Sequence, residues 1–193
     1  LAKVLNAKDE AVLLEAIRLV SSLKITTVVP GLGNLLASPK RTVKLAALEA
    51  LTAIGSPAAM QHIAALIDDA DKAVRIGAVR ALSAQKHRAA LPKIEAAVMG
   101  KALREADLTE KSVFFEAYGV LVGPAGIKPL SEMLGTKGGF MKRKEDPETR
   151  ACVAMALGKI RTAEARALLE QALAEKDPLV KNAINKALKE FEA

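Results

Sequence analysis

One helical pattern recurs along this chain of 193 residues. A repeat constrains architecture more than composition does, because a short helical unit buries its apolar face only by stacking on its neighbours. The pattern occupies residues 9–23 (DEAVLLEAIRLVSSL), 40–54 (KRTVKLAALEALTAI), 71–85 (DKAVRIGAVRALSAQ), 107–121 (DLTEKSVFFEAYGVL), 146–160 (DPETRACVAMALGKI) and 177–191 (DPLVKNAINKALKEF). Aligned on Val12, Val43, Val74, Glu110, Thr149 and Val180, successive copies stand 31, 31, 36, 39 and 31 residues apart. Three, four, seven and eight residues past the anchor the copies almost always carry small or apolar side chains, as at Ala46, Ala47, Ala50 and Leu51. That spacing is the stripe of an amphipathic helix, not the alternation of a strand.

The helix starts are marked. Asp9, Asp71, Asp107, Asp146 and Asp177 stand three residues before their anchors, where a carboxylate accepts from the free N–H groups of the first turn. Pro147 and Pro178 follow at the first helical position, where a missing N–H costs nothing. A base follows the anchor in most copies: Lys44, Arg75, Lys111, Arg150 and Lys181. The spacing predicts a structural ladder of acid and base between neighbouring copies, through Asp71, Arg75, Asp107, Lys111, Asp146, Arg150, Asp177 and Lys181. Second apolar segments lie between these helices, at 26–37, 57–68, 88–99, 124–134 and 163–174, with Pro30, Pro92 and Pro129 in or near their first turns. The unit is therefore helix, turn, helix, turn.

A unit of the form D-x-x-V-[RK]-x-x-A-x-x-A-L, followed by a second helix of the kind seen at Pro57–Leu66, resembles the short bacterial HEAT-like repeat. The resemblance runs along essentially the whole chain. It implies an all-α fold, a right-handed α-solenoid of about five helix pairs and a C-terminal half repeat, with the second helices lining the concave side. The repeats fall at about 8–38, 39–69, 70–101, 106–135, 146–176 and 177–193, read as a single domain over 1–193. Lys40 stands where the pattern has Asp and Leu13 where it has a base. The first helix is apolar on more than one side (Val12, Leu13, Leu14, Ile17, Leu19, Val20). The expectation is a C-terminal part of a longer protein with further repeats before Leu1, or an end that self-associates.

Composition fits this picture. Ala supplies 37 residues, there are only five aromatics and no Trp, and small aliphatics let helices approach closely. Apolar runs all fall short of the roughly 18 residues that span a bilayer. The lone Cys excludes an internal disulfide and suits a reducing, cytoplasmic setting.

Two stretches break the period. Residues 99–107 (MGKALREAD) lengthen one turn and suggest a short extra helix, and 135–145 (GTKGGFMKRKE) combine three Gly, four cations, Phe140 and Met141. The second stretch reads either as a partner-binding loop or as a solvated insertion. Three aromatics cluster in one helix; Phe114 and Tyr118 occupy the core register and Phe115 is offset from it, covering a neighbouring helix or facing a groove.

Signatures of chemistry are missing when sought singly. His62 and His87 lie in no H-E-x-x-H arrangement and at no metal-ligand spacing from Cys152. Cys152 itself holds a small-residue position, so a buried hydrophobe is the simpler reading. Gly31–Leu32–Gly33 follows no strand and lacks the third Gly of a phosphate-binding turn. The formal charge of +7 raises nucleic acid as a rival partner. The second helices, however, supply few cations (Arg88, Lys93, Lys128, Arg166) and no aromatic platform for stacking bases. The expectation is a non-enzymatic scaffold for another protein, without catalytic residues, metal or cofactor. Its contacts are expected at Gln61, His62, Lys93 and Lys128 on the second helices, and at Phe140, Met141, Lys142 and Arg143 in loop 136–145. Nucleic-acid binding is the alternative, followed by a lyase-type enzyme such as the tetrapyrrole lyases that share this repeat.

Overall fold

The computed structural model describes residues 2–135 and 145–192. All the described secondary structure is helical. The helices are α1 (Glu10–Ser22), α2 (Val29–Leu35), α3 (Arg41–Ile54), α4 (Pro57–Ala64), α5 (Lys72–Ala84), α6 (Leu91–Met99), α7 (Lys101–Glu105), α8 (Leu108–Val122), α9 (Ile127–Leu134), α10 (Pro147–Ile160), α11 (Ala163–Gln171) and α12 (Pro178–Lys189). The first helix of each repeat is one of α1, α3, α5, α8, α10 and α12. Several second helices are short because a 3₁₀ turn carries part of the segment, before the helix at Thr26–Val28 and Arg88–Ala90 and after it at Ala65–Asp68 and Ala172–Ala174. Residues 99–107 contain the extra helix, α7, whose Leu103 is buried.

The acids at the helix starts act as caps. Asp9 accepts from Val12 N at 3.0 Å, Asp107 from Thr109 N at 3.0 Å and Asp146 from Thr149 N at 2.9 Å. Asp71, Asp107 and Asp177 each accept two such bonds. Lys40 gives α3 no side-chain cap; its ammonium reaches back to Glu10 of α1 at 3.0 Å. Ser56 and Thr162 cap the second helices α4 and α11.

Contacts group the chain into two compact units, residues 1–87 and 88–193. The division falls inside the third helix pair, between α5 and α6, where the sequence period runs on without interruption. In the first unit α1 and α3 pack side by side over a core of Ile17, Val20, Leu32, Val43, Leu51 and Ile63. The second unit centres on α10, which lies between α8 and α12 and buries every residue from Thr149 to Ile160 except Lys159. Phe114, Phe115 and Tyr118 are all buried in α8. Phe115, though off the apolar stripe, is as deep as the other two because α8 is covered on more than one side.

Glycine sets the spacing of these helices. A β-carbon on Gly119 of α8 would stand 2.3 Å from the carbonyl oxygen of Ala156 on α10, and one on Gly158 of α10 would stand 3.0 Å from the Cβ of Ala187 on α12. Both glycines lie nine residues past their anchors, and each meets the alanine seven past the next anchor. The backbones approach closely because that position carries no side chain.

Candidate functional site

The residues picked from the sequence occupy three kinds of place. Gln61 is exposed on α4 of the first unit, and Lys93 and Lys128 are exposed on α6 and α9 of the second. His62 is half-buried, and its ring lies against α2: a β-carbon on Gly33 would come within 2.5 Å of it. That ring fills the space which Gly33 leaves open, so His62 serves the packing of α4 on α2 as well as its surface. Phe140, Met141, Lys142 and Arg143 lie outside the described residues.

The acid–base ladder includes the predicted approach of Lys111 to Asp146 across copies, at 4.0 Å, together with pairs to other acids. Cap carboxylates are largely occupied by helix N–H groups, and the bases find other acids. Lys44 on α3 reaches Asp69, two residues before the Asp71 cap, at 2.8 Å. Arg150 on α10 pairs with Glu175, two residues before the Asp177 cap. Lys111 on α8 meets Glu148 at 2.9 Å, with the Asp146 cap farther off at 4.0 Å. Arg75 turns back on its own helix start, donating to the carbonyls of Asp69 and Ala70, and Lys181 is exposed. A cap is itself paired across copies between Arg41 and Asp71.

These pairs alter the acids and bases involved. Burial pulls the Lys111 ammonium down, but its bond to Glu148 and the nearby Asp146 more than offset this and hold its pKa above the usual lysine value. Burial pushes Asp69 up, and Lys44 with the Asp71 amide outweighs it, leaving the carboxyl below its ordinary range. The phenol of Tyr118 is pushed well up by burial and by its hydrogen bond to Glu95 on α6, at 2.9 Å.

A contact between the two irregular stretches was not foreseen. Arg104, on α7, donates to both carboxylate oxygens of Glu145 at 2.9 and 2.8 Å, and to the carbonyls of Met99 and Gly100. Arg150 meanwhile donates to the carbonyl of Leu134. Both flanks of segment 136–144 are thus tied to the second unit.

Cys152 is buried on α10, with Ser112 Oγ at 3.5 Å from its sulfur. Burial pushes its thiol up, which disfavours the thiolate a nucleophile needs. Among the described residues no three of His, Cys, Asp and Glu gather to hold a metal ion.

A family model described as HEAT repeats matches residues 1–83 and 139–191, well over half of the chain. The chain belongs to the HEAT-repeat family. This HEAT-repeat protein also resembles solved structures of the armadillo and HEAT type. The complex of CpcE and CpcF of phycocyanin lyase from Nostoc sp. PCC7120 aligns with a TM-score of 0.64 at 18% identity, covering 98% of this chain and 73% of that one. The designed armadillo repeat protein YIII(Dq)4CqI aligns at 0.52, with 18% identity and 98% of each chain covered. A second designed armadillo repeat protein, YIII(Dq.V1)4CPAF in complex with the peptide (KR)4, aligns at 0.54 and 18% identity over 98% of this chain and 97% of that one. No curated protein sequence matches the chain. At these identities the likeness establishes the fold, an all-α repeat solenoid.

Proposed function

We propose that this HEAT-repeat protein is a non-enzymatic scaffold that binds another protein through its second-helix faces and the basic segment 136–145. The observation that carries the reading is where its cations go. Lys44, Arg104, Lys111, Arg150, Lys159 and Arg161 are each engaged with carboxylates of the scaffold. These six of the 29 Lys and Arg hold helices together, so they are not free to form the row of cations that the phosphates of a nucleic acid need. Braced helices lose little ordering entropy when a partner docks, so side chains such as Gln61, Lys93 and Lys128 are suited to recognition. A structurally similar armadillo protein in complex with a peptide lends the reading support.

The test is alanine replacement of Gln61, His62, Lys93 and Lys128 as one set, and of Phe140, Met141, Lys142 and Arg143 as another. Loss of a protein partner recovered by pull-down with the parent chain supports the reading; undiminished recovery with both sets replaced overturns it. Salt-sensitive binding to duplex or single-stranded DNA at micromolar protein favours the nucleic-acid alternative. The structural likeness to a phycocyanin lyase subunit complex makes a chromophore lyase a further alternative, and altered absorbance of an added tetrapyrrole would speak for it.

A further inference from the structure

The seam between α3 and α5, in the first unit, is open. It forms a groove of about 540 Å³, with Leu45, Leu48 and Thr52 along α3 and Gly77, Ala81 and Ala84 along α5. Its residues differ from those that close the seams of the second unit. There Gly119 meets Ala156 and Gly158 meets Ala187; here the corresponding pair is Thr52 and Ala81. Thr52 also turns its hydroxyl back to the Leu48 carbonyl at 2.8 Å. Leu48 lies against Gly77, where a β-carbon would stand 2.8 Å from its Cδ2, and α5 continues with the small side chains of Ala81 and Ala84.

The groove's rim carries charge. Glu49 and Arg80 occupy the same repeat position, 31 residues apart, so one stands on each wall. Both are exposed. Neither has a hydrogen-bond or ion-pair partner among the described residues, whereas Arg41 and Lys44 on the same helix are both engaged. A trough lined by aliphatic side chains along two helices is the seat an amphipathic helix takes, and the α5 wall from Ala73 to Ala84 measures about three turns, or roughly 16 Å. A lipid surface would not select for opposite charges on facing walls; a helix with one basic and one acidic flank would.

We propose that the α3–α5 groove docks an amphipathic helix of a partner protein, about three turns long, with its basic flank over Glu49 and its acidic flank over Arg80. This surface lies on the first-helix row and does not depend on the second-helix residues proposed above. Three labelled synthetic helices of about 14 residues with a shared leucine stripe test it by fluorescence anisotropy. One carries Lys on one flank and Glu on the other, one Lys on both, one Glu on both; either direction of docking is thereby covered. The parent chain is expected to prefer the mixed helix by about tenfold. Glu49→Lys should move the preference to the all-Glu helix, and Arg80→Glu to the all-Lys helix. Ala84→Trp plugs the groove from an exposed position, so it should abolish binding with the circular dichroism unchanged. Absence of binding up to about 100 μM, a preference that ignores both charge changes, or full binding by Ala84→Trp overturns the proposal. Binding to vesicles of three parts phosphatidylcholine to one part phosphatidylglycerol that Ala84→Trp removes would overturn it in favour of a lipid.

Discussion

Three cations sit in backbone conformations that favour glycine. Lys24, Lys86 and Arg161 have φ of 48°, 49° and 55°, each just beyond the end of a first helix, where the second copy has Gly55 at 65°. A β-carbon in this left-handed region costs about 1–2 kcal/mol, partly offset by the attraction of a cation to a helix C-terminus. Lys86→Gly is therefore expected to stabilise the protein by about 0.5–1 kcal/mol, after the extra backbone entropy of glycine is counted. The check is a higher urea midpoint at unchanged slope; a lower one contradicts it. Arg161→Gly should give less, because Arg161 also reaches Glu190 at 3.3 Å. Nothing in the letters marks these positions, since Lys and Arg are ordinary at helix ends. A second residue-scale expectation concerns Cys152. With its thiol pKa raised by burial, alkylation by iodoacetamide near pH 8 should be much slower in the folded protein than in urea, and equal rates would contradict the burial.

At the scale of elements, the first helices and their starts were legible because amphipathic spacing and Asp caps are local signals. Asp107 and Asp146 announce α8 and α10 before any packing is known. The glycine seam is equally visible in the letters at Gly119 and Gly158, yet its meaning depends on which helix lies opposite, and that is not local. Gly119→Ala tests it. Alanine normally gains about 1 kcal/mol over glycine inside a helix, but here the new carbon meets backbone atoms of Ala156 at 2.3–3.0 Å that cannot swing away. The expected net effect is a destabilisation of about 1–3 kcal/mol; stabilisation would show that α8 and α10 do not approach as described. The Arg104–Glu145 contact was hidden for a related reason, as it joins two departures from the repeat 41 residues apart. Arg150 makes a further case. Its side chain is 6% exposed, and Arg150→Met would take the guanidinium from the Glu175 carboxylate, which keeps the Lys176 and Asp177 amides, and from the Leu134 carbonyl. A loss of about 1.5–3 kcal/mol is expected from removing these charge-assisted bonds, read from the same urea titration.

For the whole molecule, the ladder predicts how stability depends on pH. Thr42 and Lys40 lower the pKa of Glu10, Arg41 lowers that of Asp71, and Lys159 that of Glu190; Asp69 and Asp146 are lowered against a partial loss of solvent, Asp69 by Lys44 and Asp146 by Thr149. A carboxyl whose folded pKa is depressed contributes stability that is present above its unfolded pKa and lost as the pH falls toward the folded value. The urea midpoint should accordingly stay flat from neutrality to about pH 5 and drop below about pH 4. A midpoint that rises on acidification would contradict the ladder. Lys111 acts in the opposite sense: its raised pKa contributes stability below the usual lysine value that is lost only at strongly alkaline pH. The repeat class was readable across the chain, but the grouping into residues 1–87 and 88–193 was not, because the period passes through His87 and Arg88 unchanged.

A protein scaffold is defined by what it holds in its native setting. Proximity labelling with the parent chain, compared with a variant in which Gln61, His62, Lys93, Lys128, Phe140, Met141, Lys142 and Arg143 are all alanine, addresses it directly. The expected result is a protein that is enriched by the parent chain and lost with the variant, while both fold alike by circular dichroism. The same proteins enriched by both, or nucleic acid recovered in place of protein, would contradict it.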